Sequence, residues 1–248
     1  MANQLLLASA HRPGWEAPAT AWRWYQEWNK ALFLHWKISP GIISRLLPAG
    51  LLADTINSDT WVSLVAFTMN ATRPRSLVAV PLVSDFHEIN LRTYVTDGQT
   101  PGVYFLSIEA QKYLSVLVAR SFSGLPYQKA DLLRTTGNTP SYISRNTATG
   151  NYLDVSYTTG DQLPQKTALD TWLTERYAVY HEDNNRLYRY DVHHKEWPLS
   201  VPKMINVSVA YNTGPLRLHT DNLNLVHYSE GVEVIAWAKK YIPVTVRK

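Results

Sequence analysis

Cysteine is absent from the 248 residues. That excludes disulfides, thiolate metal sites and a cysteine nucleophile. Phenylalanine is scarce, with 5 residues against 9 Trp and 15 Tyr. Polar-tipped aromatics suit pockets and interfaces, where an apolar body meets a hydrogen-bonded end. No sign of charge dominates: 24 basic residues face 20 acidic ones, a net charge of +4. The basic groups are scattered, the tightest being Arg73/Arg75 and Lys239/Lys240. Nucleic-acid binders gather charge on one face, so no nucleic-acid partner is expected. No apolar run approaches the ~20 residues of a membrane-spanning helix. Leu5-Leu6-Leu7-Ala8-Ser9-Ala10 ends like a signal-peptidase site. It lacks a basic start and its apolar core is too short. Residues 1–25 are therefore expected to be a leader to a single domain over residues 1–248, in a cytoplasmic protein. A hydrophobic content of 45% and a charged content of 18% are those of a globular chain with a full core.

Most segments read as strands rich in Val, Ile, Tyr, Trp and Thr. The first are Leu32–Ile38, Trp61–Met69, His87–Thr96, Gly102–Glu109 and Tyr127–Arg134. Tyr142–Arg145, Tyr152–Tyr157, Arg176–His181, Arg186–His193, Asn206–Tyr211 and Val232–Ala238 follow. Asp183-Asn184-Asn185 and Ala148-Thr149-Gly150-Asn151 have hairpin-loop composition. Three helices are expected. One opens at Ser39-Pro40 and closes by Pro48; the others cover Ala110–Phe122 and Lys166–Glu175. This pattern predicts a mainly β fold with a few short helices, its antiparallel sheet closed into a barrel.

The most informative strand is His87–Val95. Alternation puts Glu88, Asn90, Arg92 and Tyr94 on one face and Ile89, Leu91, Thr93 and Val95 on the other. In a barrel, an inward polar face lines a ligand cavity. The residues alone leave open a second reading, a solvated outer face. A second candidate is the turn Gly124-Leu125-Pro126-Tyr127-Gln128, which follows Arg120 and enters a strand. Arg120 also suits a helix C-terminus electrostatically, which needs no function. A third is Glu175 together with His193, His194 and Trp197. Adjacent histidines on a strand point to opposite faces, so they do not share one ion, and no metal is expected. His193 hydrogen-bonded within a Tyr/Trp wall is the preferred reading. There is no Gly-rich phosphate loop, dinucleotide fingerprint or Gly-x-Ser-x-Gly elbow, and no cofactor is expected.

These segments carry a resemblance. Leu32-Phe33-Leu34-His35-Trp36, Leu47-Pro48-Ala49-Gly50-Leu51 and Glu88-Ile89-Asn90-Leu91-Arg92-Thr93-Tyr94-Val95 are part of it. So are Gly124-Leu125-Pro126-Tyr127, Leu173-Thr174-Glu175-Arg176-Tyr177, Val192-His193-His194 and His227-Tyr228-Ser229-Glu230-Gly231. With them the chain resembles the domain of unknown function 2071 family over nearly its whole length. The resemblance implies the fold of acetoacetate decarboxylase, an antiparallel β-barrel enclosing a pocket. In that relative a Schiff-base lysine follows a proline and precedes a second lysine. Here Pro126 matches, but Tyr127 and Gln128 stand where the lysines would be. Arg120 matches an arginine before the turn, and Glu88 matches a pocket glutamate.

Neither Tyr nor Gln forms an imine, and Lys129 lies one or two residues late, so Schiff-base chemistry is not expected. The resemblance favours the inward reading of the β-strand stripe. Two functions follow. One is an enzyme acting on a small carbonyl or carboxylate compound by non-covalent acid-base chemistry. Glu88 is then the acid or base, Arg92 or Arg120 holds negative charge, and Tyr127 or Tyr94 donates a proton. The other is a non-catalytic small-molecule binder using the same pocket. In both, Asn90, Tyr94, Gln128, Glu175, His193 and Trp197 contact the ligand. The surplus of Trp and Tyr also admits a homodimer.

Overall fold

The computed structural model describes residues 6, 17–80, 84–111, 125 and 127–243. Eleven strands form one sheet and five form another. The large sheet contains β1 (Trp24–Ile38), β2 (Leu52–Ala53), β3 (Thr60–Pro74), β4 (Phe86–Thr96), β5 (Pro101–Ala110) and β6 (Tyr127–Lys129). It continues with β10 (Ala178–Asp183), β11 (Arg186–His194), β12 (Leu199–Ser200), β15 (Leu225–Ala236) and β16 (Lys240–Ile242). Its order is β12-β15-β1-β3-β4-β5-β10-β11-β16, with β2 beside β4 and β6 beside β5. Strand β11 also pairs with β15, so the hydrogen-bonded path returns to β15. Only the β5–β10 and β5–β6 pairs are parallel among the described pairings. The small sheet is antiparallel. It holds β7 (Asp131–Thr135), β8 (Ser141–Arg145), β9 (Tyr152–Thr158), β13 (Lys203–Thr213) and β14 (Leu216–His219).

The central strands β1, β3 and β4 are buried on both faces, and their sequences show it. Ala31-Leu32-Phe33-Leu34-His35-Trp36 is an unbroken buried run rather than an alternating one, as expected when both sides of a sheet are covered. One face, with Leu32, Leu34, Leu64, Ala66, Ile89 and Leu91, packs against Tyr142, Val155 and Tyr211 of the small sheet. The opposite face carries Phe33, Val65, Phe67, Tyr94 and Ile108 and packs with Tyr127, Leu173 and Trp197.

A bulge locks β1 against its neighbours. The β1–β3 register shifts between Asn29 and Leu32, and Lys30 between them has φ 54°. Opposite, Gly231 of β15 has φ 138° and pairs with Asn29. A Cβ there would stand 2.5 Å from both Asn29 Oδ1 and Trp28 O.

Two helices bear on the expectations. α1 (Pro40–Ile43) begins with proline after Ser39. α2 (Ala168–Thr174) starts at a reciprocal cap: Thr167 Oγ1 accepts from the Asp170 backbone, and Asp170 Oδ2 accepts from the Thr167 backbone. The Asp183–Asn185 hairpin joins β10 to β11, with Asn184 and Asn185 at positive φ.

Several boundaries differ. The strand expected over Tyr127–Arg134 breaks at Ala130, and its halves enter different sheets. Arg176 precedes β10 rather than belonging to it. Ala110 ends β5, so it does not start the expected helix; residues 112–122 of that helix lie outside the described residues. Four short strands, β2, β12, β14 and β16, carry too few residues for alternation to reveal them. The expected leader overlaps the fold: β1 begins at Trp24, and Leu6 and Trp22 pack with Ile235 and Trp237. No described helix is long and apolar enough to cross a membrane.

Candidate functional site

Strand β4, which carries the candidate residues, lies in mid-sheet between β3 and β5. Glu88, Asn90, Arg92 and Tyr94 are 3%, 4%, 8% and 1% exposed, so the solvated-face reading is overturned. Cross-strand pairing fixes their neighbours. Phe67 stands opposite Glu88, Val65 opposite Asn90 and Ser63 opposite Arg92.

Glu88 accepts from the Tyr127 hydroxyl at 3.0 Å and from Asn90 Nδ2 at 3.3 Å. Tyr127 reaches it from β6, which pairs with the far side of β5. Burial pushes the Glu88 carboxyl up to about 7, although the bonds from Asn90 and Tyr127 favour its charged form. Burial and the adjacent Glu88 carboxylate raise the Tyr127 phenol, which therefore keeps its proton. Asn90 Oδ1 is buried with no hydrogen-bond partner among the described residues.

Arg92 has no counter-ion among the described residues. Among the described residues its one hydrogen bond runs from Nη2 to Leu173 O at 3.4 Å and its Nε has no partner. Its guanidinium lies 5.6 Å from the centre of the Phe33 ring. An unmatched buried cation is costly unless something completes it. Arg176, by contrast, is paired: Nη1 donates to Asp54 Oδ2 at 2.5 Å and Nε to Trp172 O at 2.7 Å.

Tyr94 belongs to a chain of buried groups. Its hydroxyl lies 2.8 Å from Leu173 O and 2.5 Å from Ser63 Oγ. Ser63 Oγ lies 2.6 Å from His35 Nδ1. His35 Nε2 lies 3.1 Å from His227 Nδ1, and His227 Nε2 lies 3.0 Å from Asp170 Oδ1. Burial, then the charges of His227 and Arg92, hold His35 well below the usual imidazole value. Burial also lowers His227, against the pull of Asp170.

The remaining candidates divide. Trp197 packs edge-on to Phe33 at 5.1 Å and stacks with Trp28 at 6.2 Å, which puts it on the same interior wall as Arg92. Glu175 serves as a latch. It accepts from Lys166 Nζ at 2.6 Å and from the Trp197 backbone at 3.0 Å, and it bonds the Tyr177 hydroxyl. Gln128, one residue past Tyr127, turns the other way and accepts from Asn146, beside buried Glu109. His193 is likewise on the opposite face. Its Nε2 meets Leu6 O at 3.0 Å, while His194 packs on Trp28 and Trp197. The wall therefore uses His194 where His193 was expected. Arg120 lies outside the described residues.

Sequence reasoning passed over His35, Ser63, Asp170 and His227 as site residues. The signal available was the polar residue inside an apolar strand at His35, two positions from Phe33. Their assembly from four elements is not visible in any one segment. A surface recess of about 420 Å³ lies elsewhere. It is lined by Ser144, Asn146, Asn151 and Ser208 among others, and by no β4 residue.

Residues 25–233 match the model of the domain of unknown function 2071 family, an uncharacterized conserved protein. The chain is 35% identical over 230 residues to the uncharacterized protein YqjF of Bacillus subtilis (strain 168), covering 89% of this chain and 93% of that one. Among solved structures it is similar to the enduracididine biosynthesis enzyme MppR complexed with pyruvate. There the TM-score is 0.63 at 12% identity, over 94% of this chain and 95% of the other. It is also similar to an acetoacetate decarboxylase-like enzyme from Sphingomonas wittichii RW1, with TM-score 0.60 at 15% identity over 93% and 98%. Acetoacetate decarboxylase from Legionella pneumophila gives TM-score 0.62 at 12% identity over 95% and 96%. At such identities the likeness shows the fold, which is mainly β and acetoacetate decarboxylase-like.

Proposed function

The chain belongs to the domain of unknown function 2071 family, and we propose from its site that it acts on a small carbonyl or carboxylate compound by proton transfer, without an imine. The proposed setting is a barrel enclosing a pocket; the return of the strand path through β11 to β15 supports it. The observation that carries the reading is the presence, on one buried strand face, of a titratable carboxyl and a cation with no carboxylate partner among the described residues. Glu88 sits near 7, so it is available as acid and as base near neutral pH. Arg92, four residues on, has donors to spare for a carboxylate.

Together these two groups suit a carbonyl compound bearing a carboxylate. Arg92 binds the carboxylate. Glu88 removes a proton from the carbon next to the carbonyl; the C–H electron pair becomes the new C=C bond and the carbonyl π pair moves onto the oxygen as an enolate. Return of the proton completes the exchange. The pyruvate bound to the fold relative MppR is a compound of this class. Tyr127 takes the lysine's place and hydrogen-bonds Glu88, and Lys129 is exposed.

The test is proton exchange in D₂O across a panel of 2-oxo and 3-oxo acids, followed by NMR. The native protein is expected to exchange the carbon-bound proton of one of them. Glu88→Gln is expected to lose about 10²-fold or more of that rate, and Arg92→Met to weaken binding of the acid. Binding without exchange would favour the ligand-binding reading, which the Trp28–Phe33–Trp197 wall supports. A borohydride-stable pyruvate adduct on Lys129 would overturn the non-covalent reading.

A further inference from the structure

The chain from Asp170 to Leu173 O has a proton count that its geometry constrains. It contains five contacts in series: Asp170–His227, His227–His35, His35–Ser63, Ser63–Tyr94 and Tyr94–Leu173 O. With Asp170 ionised and both imidazoles neutral, the groups bring four protons: one from each histidine, one from Ser63 and one from Tyr94. Five contacts cannot all be hydrogen bonds with four protons, so one must set lone pair against lone pair. The 2.5 Å and 2.6 Å contacts at Ser63 are too short for that. The His35 Nε2 to His227 Nδ1 contact, at 3.1 Å, is the longest of the five.

We propose that His35 and His227 form a buried one-proton site at the middle of a relay joining the Asp170 carboxylate to the Tyr94 hydroxyl. Empty, the site has His227 protonated at Nε2 toward Asp170 and His35 protonated at Nδ1 toward Ser63. Filled, it holds a fifth proton between the two facing nitrogens, and every contact becomes a hydrogen bond. The charges around it are defined. Asp170 of α2 compensates the added proton, whereas Arg92 of β4 opposes it. Arg176, just after α2, lies against the Tyr94 ring and is neutralised by Asp54. Asp170 sits in the first turn of α2 with a slightly exposed side chain, which gives the relay its outer end.

Discharge is a sequence of single proton steps. Tyr94 gives its proton to a bound group in place of Leu173 O. Ser63 gives its proton to Tyr94, and His35 gives its Nδ1 proton to Ser63. His35 keeps the shared proton on Nε2 and donates it to His227. One proton leaves, and the relay is left with four protons and His35 as its Nε2–H form. Rotation of the Ser63 and Tyr94 hydroxyls and return of a proton to Nδ1 reset it, and nothing is oxidised or reduced. Delivery to a ligand rests on the proposed function, since Tyr94 shares the stripe with Glu88. The proton site itself does not.

The experiment is NMR of the full chain labelled with ¹⁵N-histidine, titrated from neutral pH downward. At neutral pH His227 is expected as the Nε2–H tautomer and His35 as the Nδ1–H tautomer. On acidification their shifts are expected to move together, at one midpoint below the free-imidazole value of 6.5. Asp170→Asn is expected to lower that midpoint by about one pH unit, a tenfold loss of proton affinity. Asp170 also caps α2, so Ser63→Ala, which spares the cap, is measured beside it. Ser63→Ala is expected to release His35 from the Nδ1–H form.

His35 found as the Nε2–H tautomer at neutral pH would overturn the proposal. So would separate titration of the two rings, or proton uptake only on unfolding. If the tautomers are as expected and no oxo acid is bound or exchanged, the relay stands and the proposed function falls.

Discussion

The Tyr127 hydroxyl donates to Glu88 across 3.0 Å, from a strand and a strand that lie on either side of β5. The bond brings a phenol to a carboxyl that burial has made a weak acid. It also ties the placement of β6 to the ionisation of β4.

The first consequence is a pH-dependent stability. The Glu88 carboxyl rises from 4.5 to about 7 on folding. The folded state therefore binds more protons than the unfolded one between those values, and stability falls as pH rises through that window. The effect is roughly 3 kcal/mol at most. Glu88→Gln cannot titrate. Thermal unfolding is expected to show the variant gaining on the native chain from pH 5 to pH 8 (about 1–3 kcal/mol), with no such gain at pH 4. A constant difference across that range would contradict the buried, raised carboxyl.

Removing the donor acts in the opposite sense to removing the acid. Tyr127→Phe deletes a hydrogen bond that favours ionised Glu88. The Glu88 midpoint is then expected to rise further, by about one pH unit. Carboxyl ¹³C NMR against pH measures it, and an unchanged midpoint would mean that the phenol does not reach Glu88 in solution.

Arg92 offers a contrast between stability and binding. Its guanidinium is buried with no carboxylate partner among the described residues. Arg92→Met removes an uncompensated charge and is expected to leave stability unchanged or raise it by about 1–3 kcal/mol. It is also expected to raise the His35–His227 midpoint, because Arg92 lowers His35. Denaturant unfolding and histidine NMR read the two effects separately. A loss of several kcal/mol would show that Arg92 has a partner in the folded chain.

Gly231 tests the bulge. At φ 138°, and with the Asn29 side chain and Trp28 carbonyl 2.5 Å from any added Cβ, alanine fits neither the backbone nor the space. Gly231→Ala is expected to cost about 2–4 kcal/mol. A near-neutral effect in urea unfolding would mean that β15 can slide past Asn29.

Local chemistry settled much of this protein in advance. Alternation in His87–Val95 put Glu88, Asn90, Arg92 and Tyr94 on one side because successive side chains in a strand must oppose one another. The hairpin at Asn184-Asn185 follows from the tolerance of asparagine for positive φ. The same alternation separated His193 from His194 and Tyr127 from Gln128. It could not say which of each pair turns toward Glu88, because both faces of the large sheet are covered and polarity no longer marks the outside. Sheet order decided that, when the small sheet took one face of β1, β3 and β4 and left the other to α2 and Trp197. It likewise gathered His35, Ser63, Asp170 and His227 from four elements far apart in the chain. Such contacts depend on which strands become neighbours, and short-range periodicity carries no information about that.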